Sequence, residues 1–419
     1  MLSIRPFLFL WLAEVFSQIA MNMVNFVLII VAYKISNSNA AVSGIVLSFT
    51  IPAILFGLIA GVYVDHWNKK TVLFATNALR TLLLVVLAVF HMDIISIYVL
   101  SFAIAVVTQF FIPAETPMIP RLVKKELLFP ANALFGMGLY GSLVIAYALS
   151  GASLILFGDT YVFFFLAALF FLAAICVTLI KTPEHYEDVI SEQKSMRSFI
   201  GDVKNVFLLV IKTREIFHSL LLLTLSQLLI LILAVIGPGF ANQVMGIQVD
   251  TFPLLFVTPA AIGMIVGALI LGNYFHGFSK EKSATIGVFL SGIAMLFLPF
   301  GSKVASRGFI QPINAMLPPF LTIDILHIMI VLAFILGFAN AFVFVPSNTL
   351  IQEKTSDEFR GRVYGMLNAL VGIFSLLPII IVGEFADIFG VSQVIIGIGI
   401  TIIIIGIFRV IFANKIKSI

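Results

Sequence analysis

Charged side chains are scarce in this chain of 419 residues: Asp, Glu, Lys and Arg make up 11%, whereas hydrophobic residues make up 61%. A soluble domain carries roughly a quarter charged residues, so there are too few here to cover a surface that faces water. The basic residues stand in short loops between apolar runs, where positive charge sets the orientation of a membrane protein. The composition therefore indicates a lipid bilayer as partner and argues against a nucleic acid.

Reactive and metal-ligating residues are equally sparse. Cys176 is the single cysteine, so neither a disulfide framework nor a cysteine metal site is expected. His218, His276 and His327 show no shared ligand spacing, and no HExxH, GxSxG or P-loop motif occurs. We therefore predict no metal, no cofactor and no enzyme, and keep a membrane enzyme or a channel as the remote alternative.

Long apolar runs dominate what is present. A transmembrane helix needs about 20 consecutive apolar residues. Such runs lie near residues 7–33, 41–64, 71–90, 94–115, 131–156, 160–180, 215–241, 252–274, 283–300, 323–346, 363–386 and 391–413. The sequence predicts an all-α polytopic membrane protein with twelve transmembrane helices in two pseudo-symmetric six-helix bundles, residues 1–180 and 215–419, joined by a polar linker at 181–214.

Lysine and arginine are distributed unevenly between the two predicted sides. With both termini inside, three of the 24 basic residues (Lys34, Lys303 and Arg307) fall outside, and Arg80 and Arg409 lie within helices, which leaves 19 on the cytoplasmic side. The positive-inside rule then predicts a protein of the cell membrane whose termini and linker are cytoplasmic. The first run is too long for the apolar core of a signal peptide and is interpreted as a span.

The two halves contain a weak internal repeat. Gly57–Gly61 lies over Gly267–Leu271 at an offset of 210 residues, and Pro113–Thr116 lies over Pro346–Thr349 at an offset of 233. The difference matches the extra stretch at 301–322, so the second half repeats the first with one insertion. Many transporters bind their substrate at the interface of such repeats.

The segment that follows the second run carries a family resemblance. It reads Gly57-Leu-Ile-Ala-Gly-Val-Tyr-Val-Asp65-His-Trp-Asn-Lys-Lys70. A glycine, an aspartate and a short basic loop in this order resemble the loop 2–3 motif of the major facilitator superfamily, and the variant is similar to the bacterial efflux branch that includes macrolide and enterobactin exporters. Gln352–Val363 and Pro113–Ala133 resemble two further loops of that branch.

The resemblance implies a conformational latch at the cytoplasmic face. Asp65 is expected to dock on the start of the eleventh span, because a helix N-terminus carries partial positive charge. Glycines four residues apart share a helix face and permit close approach of a neighbour. The residues assigned to the latch are Gly57, Gly61, Asp65, Lys69, Lys70, Arg360 and Arg362. The alternative is that Asp65 is an ordinary solvated loop charge.

Several positions depart from the superfamily pattern. His66 stands where the motif usually has an arginine, and Asn68 replaces its second glycine. The fourth span has no arginine and offers Gln109 as its nearest polar residue. The Gly-Pro motif of family antiporters is Ala146-Tyr147 here. These departures keep the transporter interpretation and weaken an assignment as a proton-driven drug antiporter.

The first span carries a polar stripe. Glu14, Gln18, Asn22 and Asn25 fall within about 80° on a helix that turns about 100° per residue. A carboxylate and three amides facing lipid would be costly, so the stripe should face a water-filled cavity or another helix. Glu14 is the candidate for proton coupling, with a structural hydrogen-bond network as the alternative.

Other polar residues within spans are weaker candidates. Arg80 is expected to reach the inner interface with its head group, or else to pair with Glu14 or Asp65. Glu384 and Asp387 should be solvated at the outer end of the eleventh span. The remaining cavity candidates are Gln109, Tyr140, Gln227 and Asn340.

These observations predict a secondary active transporter that works by alternating access. The favoured activity is export of amphipathic small molecules, such as drugs or metabolites, with proton coupling as an option. The alternative is the same fold carrying a lysophospholipid, a siderophore or a nutrient. We expect a monomer whose partners are the bilayer, its small-molecule substrate and protons.

Overall fold

The structure is a computed structural model that describes residues 3–90, 93–181, 207–274, 279–304, 314 and 325–416. The side chains of some residues within helices, among them Asp65, Tyr140 and Arg360, also lie outside this description. No strand occurs among the described residues. The predicted linker at 181–214 falls largely outside the described ranges, although residues 207–212 are helical.

The first five long helices belong to one compact unit. Short helical turns connect the fourth helix to the fifth, including Phe111–Glu115 and Ile119–Leu122. The bounds of the long helices are α1 Arg5–Ser36, α2 Asn39–His66, α3 Lys69–Phe90, α4 Ile94–Gln109 and α5 Leu128–Thr178.

A second compact unit contains the remaining helices and also Ser38–Ala40, the point where α2 begins. Its helices are α6 Arg214–Gly239, α7 Thr258–Tyr274, α8 Lys280–Val304, α9 Ile325–Lys354, α10 Asp357–Phe389 and α11 Val391–Ile416.

The number of helices that could span a membrane agrees with the number predicted from the sequence. Eleven stretches of the described chain are long and apolar enough to cross a membrane. The stretch Pro130–Thr178 has 49 residues and is broken at Gly158, whose φ of 68° is readily adopted only by glycine. At about 1.5 Å per residue, its two arms are long enough for two crossings. Counting the arms separately confirms the twelve predicted helices.

The first unit is organised around α5. Its first arm packs on α1, where the indole nitrogen of Trp11 donates a hydrogen bond to the Leu134 carbonyl oxygen at 3.0 Å. Its second arm packs on α3, where the Thr81 hydroxyl donates to the Ala167 carbonyl oxygen at 3.4 Å. Helices α1 and α3 are therefore both positioned by the same broken helix.

Close backbone contact joins α7 to α9 in the second unit. A Cβ atom placed on Gly263 would lie 2.0 Å from the Phe334 carbonyl oxygen, and one on Gly337 would lie 1.7 Å from the Ala260 carbonyl oxygen. No side chain fits in these gaps, so glycine is required at both positions. Small residues at helix interfaces are the usual means by which membrane helices gain packing contact.

Asp387 near the end of α10 caps the start of α2. Its Oδ1 accepts hydrogen bonds from the backbone and side-chain nitrogens of Asn39, both at 2.8 Å. Its Oδ2 accepts from the Ser38 hydroxyl at 2.6 Å and the Ala40 amide at 3.0 Å. Asp387 was expected to be simply solvated; it is exposed, yet it satisfies amide groups that a helix start leaves without partners.

Neutralising Asp387 should weaken this cap. We expect Asp387→Asn to lower the free energy of unfolding by about 1–2 kcal/mol, because the amide has one acceptor oxygen and no charge to set against the helix dipole. Thermal unfolding of the purified protein in detergent measures the change. Glu384→Gln is the matched control, since Glu384 is an exposed carboxylate on the same helix. Equal stability of both variants would contradict the capping role.

Candidate functional site

Glu14 lies inside the first unit and is fully buried. Neither of its carboxylate oxygens has a hydrogen-bond partner among the described residues. Helix α5 leaves room for it, because a Cβ atom on Gly138 would lie 3.2 Å from Glu14 Oε2 and 2.7 Å from the Trp11 indole nitrogen. The carboxylate therefore occupies a gap that exists because residue 138 has no side chain.

Arg80 on α3 is also buried, with 1% of its surface exposed. Its Nε donates to the Thr76 carbonyl oxygen at 3.2 Å, and its Nη2 donates to Asn77 Oδ1 at 3.0 Å. The guanidinium lies over the rings of Phe111 and Phe170, at 4.6 and 4.4 Å from their centroids. The expectation that Arg80 reaches an aqueous interface is wrong, because two rings and its own helix hold it inside.

Glu115 is a second buried carboxylate that the sequence analysis did not select. It ends the short helix Phe111–Glu115, is 4% exposed, and its Oε1 has no hydrogen-bond partner among the described residues. It is close enough to Glu14 and Arg80 for electrostatic interaction with both, but no ion pair or hydrogen bond joins it to Arg80 among the described residues. The predicted fourth span, 94–115, ended at this residue, and a carboxylate at the end of an apolar run was the signal that could have identified it.

Apolar side chains surround these three groups, which we call the charge cluster (Glu14, Arg80 and Glu115). Phe7, Leu10, Ala13, Phe111 and Ala114 are all 2% exposed or less and belong to one hydrophobic core. Ionising a carboxyl group in such surroundings costs several kcal/mol unless a positive charge pairs with it. The protonated form avoids this cost. The cluster contains two acids and one base, so one acid has no base to balance it.

The amides of the α1 stripe are half-buried. Asn22 donates to the Gln18 carbonyl oxygen on its own helix at 2.8 Å. Asn25 Oδ1 is buried and has no partner in the described part of the chain. The stripe therefore combines one local hydrogen bond with unsatisfied buried acceptors at Glu14 and Asn25.

The other cavity candidates have different surroundings. Gln109 donates to the Ala105 carbonyl oxygen at 3.2 Å. Asn340 accepts from the Ser226 hydroxyl at 2.6 Å and so links α9 to α6 as structural packing. Gln227 is half-buried, and the side chain of Tyr140 lies outside the description. Gln109, Gln227 and Asn340 make no described hydrogen bond to the charge cluster.

The described latch residues each have different neighbours and make no described contact with one another. Lys70 Nζ donates to the carbonyl oxygens of Thr178 and Ile180 at 3.0 and 2.6 Å, and thereby caps the end of α5. The guanidinium of Arg362 lies 5.4 Å from the centroid of the Phe359 ring. Lys69 is buried.

The glycines of the motif differ from each other. A Cβ atom on Gly57 would lie 3.6 Å from Gln109 Oε1, whereas one on Gly61 would meet no described atom within 4 Å. A side chain at Gly57 would make only an ordinary van der Waals contact, so the described structure shows no close approach that requires glycine at either position. Since the side chains of Asp65 and Arg360 are not described, the latch stays a prediction.

A cavity of about 790 Å³ lies within the second unit, between α6, α10 and α11. Leucine, isoleucine, valine and phenylalanine supply most of its lining, and Gln393 and Thr401 are its polar side chains. It therefore suits apolar groups. Among the described residues, no group of three His, Cys, Asp or Glu side chains is placed to hold a metal ion.

Substituting Gly138 should disturb Glu14 and Trp11. We expect Gly138→Ala to destabilise the protein by about 1–3 kcal/mol, because the added methyl group overpacks the contact between α1 and α5. Gly141→Ala on the same helix is the control, since a Cβ atom there meets no described atom within 4 Å. Thermal unfolding in detergent compares the two, and an unperturbed Gly138→Ala protein would show that the gap is wider than described.

Comparison with known proteins identifies relatives over nearly the whole chain. The family model described as Major Facilitator Superfamily matches residues 10–317. The uncharacterized MFS-type transporter YfiS of Bacillus subtilis (strain 168) is 24% identical over 401 residues, covering 92% of this chain and 87% of the relative. Macrolide efflux protein A of Streptococcus pyogenes is 22% identical over 395 residues, covering 92% and 90%.

Solved structures share the fold. The nucleoside transporter NupG superposes with a TM-score of 0.72 at 12% identity, covering 97% of this chain and 98% of the other. A bacterial homologue of the human lysosomal transporter Spinster, in an inward-facing and unoccupied conformation, has a TM-score of 0.70 at 15% identity and covers 97% and 96%. At these identities the likeness concerns the fold alone.

Proposed function

Because this chain belongs to the Major Facilitator Superfamily, we propose that it exports amphipathic small molecules by alternating access and couples export to proton entry through Glu14. One observation carries the coupling: Glu14 is fully buried and both its carboxylate oxygens have no partner among the described residues. Macrolide efflux protein A, similar over 92% of this chain, supports export and an amphipathic cargo.

The physical argument for a proton follows from burial. An ionised carboxylate without a partner is costly in apolar surroundings, whereas its protonated form is neutral. The Glu14 side chain can therefore stay in its apolar surroundings, while the site changes its access from one side to the other, only when a bound proton neutralises it. If alternating access exposes it first to one side and then to the other, binding and release of that proton drive the cycle.

We place the moving parts as the sequence predicts. Residues 1–180 and 215–419 form the two bundles, the linker at 181–214 and both termini are cytoplasmic, and the protein acts in the cell membrane as a monomer. Transport requires no covalent chemistry, so we propose no enzymatic activity and no cofactor. The second candidate is the same mechanism with a nutrient, siderophore or lysophospholipid as cargo, and the folds of the nucleoside transporter and the Spinster homologue fit it.

Neutralising Glu14 tests the coupling. In proteoliposomes with an imposed pH gradient, we expect Glu14→Gln to abolish accumulation of a macrolide or a lipophilic dye, because the site can no longer gain or lose a proton. Exchange of labelled substrate without a gradient should persist, which separates coupling from folding and binding. Glu384→Gln is the control for losing one carboxylate at an exposed position.

Two results would contradict this proposal. Gradient-driven accumulation by a stable Glu14→Gln protein would remove Glu14 from the mechanism and favour uniport or another ion. If the unsubstituted protein accumulates a nutrient but neither macrolides nor dyes, the second candidate for the cargo is supported.

Neutralising Asp65 tests the latch. If Asp65 caps the start of α10 only when the cytoplasmic side is closed, Asp65→Asn should favour the inward-open state. A charge at a helix terminus contributes about 1–2 kcal/mol, which corresponds to a five- to thirtyfold change in the population ratio. Cysteine labelling at the inner mouth should increase and turnover should decrease.

Glu126→Gln is the matched control for the latch, because Glu126 is an exposed carboxylate of the first unit that is not assigned to the latch. It should leave both cysteine labelling and turnover unchanged. Unchanged labelling and turnover in Asp65→Asn would make Asp65 an ordinary solvated residue.

A further inference from the structure

The cavity of about 790 Å³ in the second unit has no part in the proposed coupling. Its walls are residues 225–232 of α6, 378–389 of α10 and 393–405 of α11. Phe385 and Phe389 on its α10 wall are 47% and 58% exposed, and only 22% of the apolar span of α11 is buried. Because these exposed apolar walls belong to helices that cross the membrane, the cavity is a groove that opens towards lipid. We call it the α10–α11 groove.

Helix α11 is held in place through the face that lies away from this groove. A Cβ atom on Gly399 would lie 3.0 Å from the Gly292 carbonyl oxygen, so α11 is in close backbone contact with α8. Gly397 precedes Gly399 by two residues, which is about 200° around the helix. A Cβ atom on Gly397 would meet no described atom within 4 Å. Helix α11 therefore cannot move inward to fill the groove without leaving α8.

The lining of the groove suits hydrocarbon better than water. None of its lining residues is charged, and Gln393 and Thr401 are its polar side chains. The Thr401 hydroxyl already donates to the Gly397 carbonyl oxygen at 2.8 Å. An enclosed water needs two to four polar partners, whereas an apolar cavity of about 150 Å³ is enough to bind benzene. A groove several times larger has room for a longer hydrocarbon.

The length of the groove matches one leaflet of a bilayer. Helices α10 and α11 are consecutive and meet at Gly390, so Gln393 lies about one turn from their connection. From Gln393 to Ile405 the α11 wall extends about 18 Å, at about 1.5 Å per residue. One leaflet supplies half of a hydrocarbon core that is about 30 Å thick. An acyl chain that enters beside Gln393 therefore fits along the whole groove.

The charges near the Gly390 end are acidic. Glu384 and Asp387 are exposed carboxylates on α10, and residues 391–408 of α11 include no charged side chain. A headgroup that carries an ammonium ion is attracted to such an end, whereas an anionic headgroup is repelled. Gln393, exposed at the same end, has an amide group that can donate to an ester carbonyl oxygen of a lipid.

We propose that the α10–α11 groove is a binding site for one acyl chain of a phospholipid with a zwitterionic headgroup. The lipid belongs to the leaflet on the Gly390 side, which the proposed orientation makes the outer leaflet. Its chain packs on α6, α10 and α11 and fills the space that these helices leave between them. The site lies in the second unit and does not depend on Glu14 or on the proposed export.

Filling the groove from its α11 wall tests the site. Since a Cβ atom on Gly397 meets no described atom, the ring of Gly397→Phe can occupy the groove without displacing a helix. Gly272→Phe on α7 is the matched control, because Gly272 is exposed, has the same free space and does not line the groove. Native mass spectrometry of protein purified in mild detergent counts retained phospholipids. We expect one fewer in Gly397→Phe than in the unsubstituted protein and no change in Gly272→Phe.

Rebinding of lipid to the delipidated, unsubstituted protein gives a second measurement without any substitution. We expect higher occupancy with dioleoyl phosphatidylcholine than with dioleoyl phosphatidylglycerol, because the two have the same chains and differ in headgroup charge. Gly397→Phe should lose the phosphatidylcholine adduct. Should this variant fail to fold, Thr401→Phe replaces it, since Thr401 is exposed one turn further along the same wall.

Four results would overturn the proposal. Equal lipid counts in the unsubstituted protein and in a folded Gly397→Phe protein would show that the groove retains no lipid. Preferential rebinding of phosphatidylglycerol would contradict the headgroup assignment. Displacement of the retained lipid by a macrolide or a lipophilic dye would make the groove a cargo site. A dimer mass that is lost in Gly397→Phe would make it an interface between two copies of this chain.

Discussion

A charge that cannot reach water must be neutralised by the protein around it, and this constraint shapes the first unit. Two aromatic rings enclose the Arg80 guanidinium, which donates two hydrogen bonds to acceptors on its own helix. These contacts hold the cation without contact with water. The acids have no such provision: Glu14 occupies a gap left by Gly138. The fold thus holds the base firmly and leaves the Glu14 carboxylate without a hydrogen-bond partner among the described residues.

Local pattern was enough to predict the helices and Glu14. Hydropathy is a property of each segment by itself, so the twelve spans could be read without knowing how they pack. Glu14 followed from the spacing of polar residues on α1. The roles of Glu115 and Gly138 depend on tertiary structure: the chain turns after Gln109 so that Phe111 meets Arg80, and α1 pairs with the first arm of α5. No local sequence pattern reports either pairing. For the same reason, the sequence analysis wrongly placed the Arg80 head group at the inner interface.

The polar and apolar features lie in different units. The charge cluster and the amide stripe belong to the first unit, whereas the cavity of the second unit is lined almost entirely by aliphatic and aromatic side chains. The amphipathic cargo proposed above has both kinds of surface.

The cap on α2 has a consequence for biosynthesis. Asp387 follows Asn39 by 348 residues, so a ribosome makes and inserts α2 long before the carboxylate that accepts its first amide hydrogens has been translated. Until α10 has been made, the first amides of α2 must find other hydrogen-bond acceptors, such as water. A nascent chain that stops short of Asp387 therefore lacks the carboxylate that caps α2, and only a chain that includes the end of α10 can complete this turn.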